Sequence, residues 1–254
     1  MILIFFLFLS SPSSGQDGGG GFNTLNAIKI ALHKENYIYP MYHTNTRPLD
    51  ARDSEEAKYQ FSIKISLVGD GHQSLSFAYT QKSFWQVYDQ SNSRPFREHN
   101  YNPEFFARLG GATLFIDLGY EHESNGQEDP KSRSWDRLYY KVHFRRSGYK
   151  FYLKHWMVIA NEHEGPSQEE RTSTMKTYYG NGEVGLGFKM GSMILKGYGR
   201  LNFDSNKGFL ESKILFPLGR FIYFSVVYTK GYGDSLRTYN YNHETFGFGL
   251  LMNP

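Results

Sequence analysis

Apolar and polar residues alternate one by one along most of this chain, as they do in β-strands that bury one face. Residues 114–124 show the pattern most clearly. Because side chains two positions apart share one face of a strand, the apolar face of this segment ends in His122 and Ser124. Residues 134–144 alternate again, and Asp136 opens their apolar face. We therefore expect an acid, a base and a nucleophile at the rims of two neighbouring apolar faces.

Segments of this period recur along the chain, separated alternately by short glycine-containing turns and by longer polar loops. Such an arrangement is typical of an up-and-down barrel. We predict an all-β fold, a single 12-stranded antiparallel transmembrane β-barrel. Its predicted strands are residues 38–44, 61–67, 74–80, 104–109, 114–124, 134–144, 150–160, 178–190, 192–202, 207–216, 220–230 and 236–252.

Periodicity alone leaves the direction of the two faces open. Charged residues such as Asp117, Arg137 and Lys154 fall opposite the aliphatic face of their strands. A membrane barrel would hold these charges in its lumen. A soluble exported β-barrel would turn them to water and keep an apolar interior suited to a small ligand. The same pattern of strands fits both alternatives.

Composition narrows the class of protein. A mean hydropathy of −0.55 argues against a helical membrane protein. Aromatic residues make up 17% of the 254 residues and there are 26 glycines, which suits a membrane barrel but also a soluble β-sandwich. The absence of cysteine excludes disulfides and a thiol nucleophile. The net charge of +3 is spread out, without a basic run, so we expect no nucleic-acid partner.

The N-terminus looks like a targeting segment. Residues 1–9 are apolar and are followed by serine, proline and glycine, which predicts a secretory signal peptide over residues 1–15. Its basic n-region is missing, so the signal is either truncated or atypical. The apolar run is about half of the ~20 residues that a spanning helix needs. Residues 16–29 then read as a flexible linker, and residues 30–254 as the barrel domain.

The chemistry of the 114–124 and 134–144 segments allows two interpretations. Ester hydrolysis by serine needs a base within hydrogen-bond reach and a third group that orients the base. Ser124, His122 and Asp136 supply these three groups. On local grounds alone, however, they are also the polar residues that strand ends and loops ordinarily collect, and residues 125–126 are most simply a turn.

Several ordered segments decide between these interpretations. Residues 120–126 (Tyr-Glu-His-Glu-Ser-Asn-Gly) and 129–139 resemble the active-site signature of the outer-membrane phospholipase A family. Residues 79–86, 95–101 and 231–236 resemble other segments of that family, in one register over about residues 30–253. The resemblance implies a barrel in the outer membrane of a Gram-negative cell. It also implies calcium-dependent hydrolysis of phospholipid and lysophospholipid acyl esters at the 1- and 2-positions, activated by formation of a homodimer.

The resemblance also assigns the catalytic groups. It makes Ser124 the nucleophile, His122 the general base and Asp136 the group that orients the imidazole. The family usually has asparagine in place of Asp136, so this chain adds a charge near hydrocarbon, which is costly to desolvate unless it is paired. We expect activity to survive this change, with a shifted pH profile. The peptide N–H of Gly126 is a candidate donor to the oxyanion.

Calcium ligands and a dimer contact are carried over in the same way. The ligands implied are Ser132, Gln127 and, from the partner chain, Ser93. Position 127 is commonly arginine in the family, a change of little consequence if the backbone carbonyl is the ligand. Oxygen ligands suit calcium. Gln81, a polar residue on a strand expected to face lipid, is implied as a hydrogen-bonding residue of the dimer interface.

Two competing functions remain on sequence grounds. A passive outer-membrane channel or structural barrel would conduct ions or do nothing measurable, although the charged and aromatic interior argues against a wide pore. A soluble ligand-binding barrel would need no detergent. We also expect Trp85, Trp135 and Trp156 to belong to the interfacial aromatic belt of a membrane barrel.

Overall fold

The computed structural model describes residues 29–45, 53–69, 72–159 and 175–252. The predicted signal peptide and residues 16–28 of the predicted linker lie outside the described residues. The first strand begins at Lys29. In the described part of the chain, no helix is both long and apolar enough to span a membrane.

Within these ranges every strand pairs antiparallel with its neighbours in one sheet. The strands are β1 (Lys29–Leu32), β2 (Asn36–Thr44), β3 (Glu55–Gly69), β4 (Ser74–Trp85), β5 (Phe96–Gly110), β6 (Leu114–Ser124), β7 (Ser134–Arg146), β8 (Tyr149–Ile159), β9 (Gly182–Met190), β10 (Met193–Asn202), β11 (Lys207–Pro217), β12 (Ile222–Gly231) and β13 (His243–Met252). The described residues also include one short helix, at residues 175–179.

The sheet closes into the predicted 12-stranded barrel, because β2 pairs with both β13 and β3, and β3 pairs with β4. The extra strand β1 also pairs with β3, at residues of β3 that follow those paired with β2. β1 and β2 are thus two halves of one wall strand, interrupted at residues 33–35. Short turns join strands at one rim, and longer connections such as 86–95, 125–133 and 232–242 lie at the other.

The two faces of the wall have the orientation of a membrane barrel. Large apolar side chains are exposed on the outside, among them Leu118, Leu138 and Phe248. Charged side chains are buried in the lumen, with Glu121 1% exposed and Arg137 6% exposed. A soluble barrel would show the reverse. The soluble alternative is therefore wrong, because the described wall turns its large apolar side chains outward and its charged side chains inward.

The lumen is crossed by charge pairs that start from the break between β1 and β2. Glu35 accepts hydrogen bonds from Lys196 on β10 and Lys213 on β11. On the other side, His33 and Lys34 meet Glu104 on β5. These contacts tie distant strands together through the interior. The remaining space includes a cavity of about 360 Å³ rather than a wide pore, as expected for a 12-stranded barrel.

Three expectations about local structure are wrong. Residues 178–181, predicted as the start of a strand, lie before β9, and residues 178–179 belong to the short helix. Residues 236–242, predicted as strand, belong to the connection before β13 and fold into the barrel mouth, where Leu236 is buried. Trp135 and Trp156 lie in the interior rather than in an outer aromatic belt. Trp135 follows the pleat, since it alternates with the outward Asp136, and it packs with Leu236 in one apolar cluster.

The third tryptophan lies at the long-loop rim. Trp85 ends β4 and is half-buried. Its ring stacks on Phe96 with 5.2 Å between centroids, and its indole N–H donates to the carbonyl of Arg94 at 2.9 Å. An aromatic ring with one bonded polar atom at the barrel rim is compatible with the interfacial position expected for it.

Candidate active site

Three adjacent strands bring the predicted acid and base together. His122 on β6 lies directly opposite Asp136 on β7. The imidazole Nδ1 is 2.8 Å from Asp136 Oδ1. The peptide carbonyl of His122 accepts a hydrogen bond from Asn102 Nδ2 on β5 at 2.8 Å, which anchors the backbone at this position. The side chain of His122 is 34% exposed and that of Asp136 is 16% exposed, so both face outward but only in part.

Ser124 lies at the end of the same strand face, two residues beyond His122, and is half-buried. Its neighbours across the strands are Ser134 on β7 and Tyr101 on β5. Among the described residues no hydrogen bond joins Ser124 to His122. Hydrogen bonds between a nucleophile and its base are often long before substrate binds. With Nδ1 on the carboxylate, Nε2 is the ring nitrogen left to receive the serine proton.

A further residue, Tyr120, contacts the acid. Its hydroxyl donates to Asp136 Oδ1 at 2.5 Å, the same oxygen that His122 approaches. The sequence places Tyr120 on the face of His122 but assigns it no role. The available signal was its position two residues before the base, diagonal to Asp136 across a strand pair, where long side chains reach each other.

The connection between β6 and β7 is organised by Asn125, which is buried. Its Nδ2 donates to the carbonyl of Lys131 at 2.8 Å, and its Oδ1 accepts the N–H of Arg133 at 2.9 Å. Gly126 follows with φ of 60°. The turn of this connection lies at residues 129–131, however, so the turn expected at residues 125–126 is not formed. A Cβ at Gly126 would lie 2.9 Å from Tyr101 Cε2, which makes glycine necessary here. The Gly126 N–H makes no backbone hydrogen bond within the described residues.

Two of the implied calcium ligands lie in this connection. Gln127 is half-buried, and its Nε2 donates to the carbonyl of Arg97 at 3.0 Å. Its Oε1 is buried without a hydrogen-bond partner. Ser132 is half-buried, and its carbonyl accepts from Arg133 Nη1 at 2.6 Å, which leaves its hydroxyl as the available oxygen.

These donors fit an oxygen-seeking cation. An unpartnered buried amide oxygen, a serine hydroxyl and backbone carbonyls are the hard ligands that calcium prefers. The described residues contain no cluster of three or more histidine, cysteine or acidic side chains placed to hold a metal. The two implied ligands in the 125–133 connection, Gln127 and Ser132, are uncharged, and by themselves they make an incomplete calcium shell, which has six to eight oxygens.

Ser93, the third implied ligand, lies in the neighbouring connection between β4 and β5 and is exposed. Its φ is 61° and that of Arg94 is 52°, a conformation uncommon for residues other than glycine. Asp89 supports this turn by accepting hydrogen bonds from Ser91 at 2.7 Å and from Asn92 Nδ2 at 2.9 Å. The bonds from Asn92 and Ser91 lower the pKa of the Asp89 carboxyl.

Gln81 belongs to a line of polar groups on the outer face of β4. Its Oε1 accepts the hydroxyl of Tyr79 at 3.2 Å, and its Nε2 donates to Ser83 Oγ at 3.1 Å. Ser83 Oγ is in turn 2.8 Å from His99 Nδ1 on β5. The predicted interface residue is half-buried already in one chain, and its amide keeps one further N–H to offer.

Comparisons with known proteins agree on one family. A family model described as Phospholipase A1 matches residues 22–252. Phospholipase A1 of Klebsiella pneumoniae is 34% identical over 212 residues, covering 78% of this chain and 71% of that protein. Phospholipase A1 of Escherichia coli K12 is 32% identical over 209 residues, covering 78% of this chain and 70% of that protein.

Solved structures give the same picture. The outer membrane phospholipase A of Escherichia coli superimposes with a TM-score of 0.80 at 28% identity, covering 88% of this chain and 98% of that one. A Salmonella typhi outer membrane phospholipase, solved as a dimer with bound calcium, superimposes with a TM-score of 0.78 at 28% identity. That comparison covers 91% of this chain and 94% of the other.

Proposed function

Because the chain belongs to the phospholipase A1 family, we propose that it is a calcium-dependent phospholipase A, active as a homodimer. It is a β-barrel of the Gram-negative outer membrane. Its substrates would be the acyl esters of phospholipids at both positions, and those of lysophospholipids. The observation that supports this proposal best is the His122–Asp136 hydrogen bond on the outer surface, with Ser124 next on the same face.

The residues of this chain account for the chemistry. Ser124 Oγ attacks the ester carbonyl carbon while His122 Nε2 takes the hydroxyl proton. Asp136 holds the other ring nitrogen in the N–H form and stabilises the imidazolium. The proton then passes to the alcohol oxygen of the departing lysophospholipid, and the acyl group stays on Ser124. Water activated by His122 next cleaves the acyl-serine bond, releasing the fatty acid and restoring the hydroxyl.

Calcium and the dimer belong to the same proposal. Gln127 and Ser132, with Ser93 of the partner subunit, would hold the cation, and the Gly126 N–H would donate to the oxyanion. When bound, the cation supplies positive charge that stabilises the negative charge developing on the carbonyl oxygen. The support for a shared site is the incomplete donor set of the 125–133 connection and the exposure of the Ser93 turn. Gln81 would join the two barrels through the free amide N–H.

The outward direction of the site suits a membrane substrate. His122 and Asp136 continue an apolar face that carries Leu118 and Leu138, both more than 40% exposed. Acyl chains can lie against this face without leaving the bilayer, so substrate reaches Ser124 by lateral diffusion. An aqueous route through the lumen is not needed, and the charge pairs that cross the lumen obstruct one.

The test is release of fatty acid from phosphatidylethanolamine in detergent micelles, with calcium and with a chelator. Ser124→Ala is expected to abolish release, because no other group supplies the nucleophile, while the barrel still folds as judged by heat-modifiable electrophoretic mobility. Ser192→Ala, an exposed turn residue on the opposite rim, is the control and should keep full activity. The chelator should remove activity from the wild type. Hydrolysis that persists in Ser124→Ala would refute the proposal.

A further inference from the structure

Two hydrogen-bond donors share one oxygen of Asp136. The Tyr120 hydroxyl donates to Oδ1 at 2.5 Å, and His122 Nδ1 approaches the same Oδ1 at 2.8 Å. Oδ2 receives no hydrogen bond within the described part of the chain. The Asp136 oxygen that contacts His122 therefore also accepts a hydrogen bond from Tyr120, which lies on the outer face of β6.

The surroundings of Asp136 make this second donor valuable. On β8, the residue paired with Asp136 is the outward-facing Ile159. On β7, Leu138 lies two residues further along and is exposed on the same face. A carboxylate in such apolar surroundings is costly unless hydrogen bonds or an opposite charge compensate it. No cationic side chain forms an ion pair with it among the described residues apart from His122 when that ring is protonated. Tyr120 is thus the one permanent donor side chain bonded to this carboxylate in the described structure.

We propose that Tyr120 is a positioning residue of the hydrolytic reaction, needed because the acid of this chain carries a charge. Its hydroxyl holds Oδ1 beside His122 Nδ1 and compensates the negative charge of the carboxylate at a surface that faces hydrocarbon. This inference rests on the proposed hydrolase function. It predicts that the importance of Tyr120 depends on residue 136: a neutral amide there needs far less compensation than a carboxylate.

The experiment is a double-substitution cycle of Tyr120→Phe and Asp136→Asn, assayed by fatty-acid release with calcium. In the parent protein, Tyr120→Phe is expected to lower kcat about tenfold with little change in KM, the size of effect that a charge-assisted hydrogen bond supports. Together with Asp136→Asn, the same change is expected to lower kcat less than about twofold, because the coupling between neighbouring groups is removed.

The pH profile gives a readout that a purely structural role would not move. Without the Tyr120 donor, the Asp136 carboxylate keeps more of its negative charge for the protonated His122 ring. The acid limb of kcat is therefore expected to move to higher pH in Tyr120→Phe. With Asp136→Asn present, no movement of the acid limb is expected, since the amide does not titrate.

Tyr140→Phe is the matched control. Tyr140 lies on the outer face of β7 and is 41% exposed, as Tyr120 is, and its ring packs against His155. Its hydroxyl makes no hydrogen bond within the described residues. Removing it should leave kcat and the pH profile unchanged. A loss equal to that of Tyr120→Phe would show that any outward tyrosine hydroxyl matters, and would overturn the inference.

The outcomes separate this inference from the proposed function. If the parent protein hydrolyses phospholipid and Ser124→Ala does not, the function stands. The role of Tyr120 is then overturned if Tyr120→Phe lowers kcat equally with aspartate and with asparagine at position 136. It is also overturned if the acid limb of kcat does not move. If the parent protein shows no hydrolysis, the proposed function fails. The same cycle can still be read from the NMR signal of the His122 Nδ1 proton: a signal that Tyr120→Phe leaves unshifted in the Asp136 protein overturns the contact.

Discussion

The two faces of the β6–β7 hairpin both carry acidic side chains, but these side chains have different partners on the two faces. On the inner face, Arg137 meets Glu121 at 3.1 Å and Glu123 at 2.7 Å, and Lys154 on β8 adds a contact to Glu121 at 2.6 Å. On the outer face, Asp136 has His122 and Tyr120 as its hydrogen-bond partners among the described residues. The acidic side chains inside are matched by arginine and lysine, whereas the acid outside is matched by a histidine and a tyrosine.

This difference separates stability from reactivity along the same strands. Buried carboxylates with fixed cations cannot change their protonation without a large loss of free energy, so they act as a rigid support. The outer pair has a partly exposed imidazole, which suits the base proposed to take and return a proton. Because side chains alternate, each supporting residue directly precedes or follows a residue of the proposed site: Glu121 and Glu123 flank His122. Substitutions on the inner face should therefore mainly lower stability, and substitutions on the outer face should mainly lower activity.

The largest effect on stability is expected from Arg137→Met. The change leaves Glu123 without its cation and Glu121 with Lys154 alone, both buried in the lumen. Breaking a buried pair in this way costs about 3–5 kcal/mol of unfolding free energy. Urea unfolding of the barrel in lipid vesicles measures it. His122→Ala is the outer counterpart: it should abolish hydrolysis and change the unfolding free energy by less than about 1 kcal/mol. A larger loss of unfolding free energy in His122→Ala than in Arg137→Met would contradict this division between the two faces.

A second inner site gives a smaller effect that depends on pH. Asp234, in the connection that folds into the mouth, accepts Lys58 Nζ at 2.6 Å and the Tyr42 hydroxyl at 2.9 Å. Burial alone would raise the pKa of this carboxyl, but the nearby Lys58 ammonium holds it below the usual range. A lowered pKa stabilises the fold above the unfolded value of about 4, and this contribution is lost as pH falls.

Asp234→Asn should therefore lower the unfolding free energy at neutral pH by about 1–3 kcal/mol, because the buried Lys58 loses its counter-charge. It should also flatten the decline in stability of the wild type below about pH 4. Unfolding curves at neutral pH and on the acid side check both points. Equal acid sensitivity of variant and wild type would show that this carboxyl does not contribute to the pH dependence.

The smallest effect is expected for Asp136→Asn on the outer face. The amide oxygen can still accept the His122 Nδ1 proton and the Tyr120 hydroxyl, so hydrolysis should fall by about tenfold at most, and unfolding by less than about 1 kcal/mol. Initial rates of fatty-acid release and urea unfolding measure the two quantities. A loss nearer the ~10⁴-fold caused by the same exchange in a serine protease would mean that the carboxylate charge is required.

Predictions from the sequence agreed best with the structure where the geometry depends on neighbouring residues. Alternation placed His122 and Ser124 on one face of β6, and the hairpin register then set Asp136 opposite His122. The same reasoning missed the Tyr120–Asp136 bond, because a contact diagonal to the strand pair depends on side-chain conformation as well as on register. It also predicted 236–242 as strand, since Leu236 and Tyr239, which pack in a cluster with Trp135, are residue types that wall strands also carry.

Two properties of this protein follow from the amino-acid sequence by itself: a wall of strands in which apolar and polar residues alternate, and the placement of His122, Ser124 and Asp136 on the apolar stripe of their strands. Both depend on a period of two residues, which any pleated strand obeys. Only the tertiary structure decided which stripe faces lipid, how residues 33–35 cross the lumen to β5, β10 and β11, and why Trp135 is internal. Those features require barrel closure, because closure brings together side chains that lie far apart along the chain.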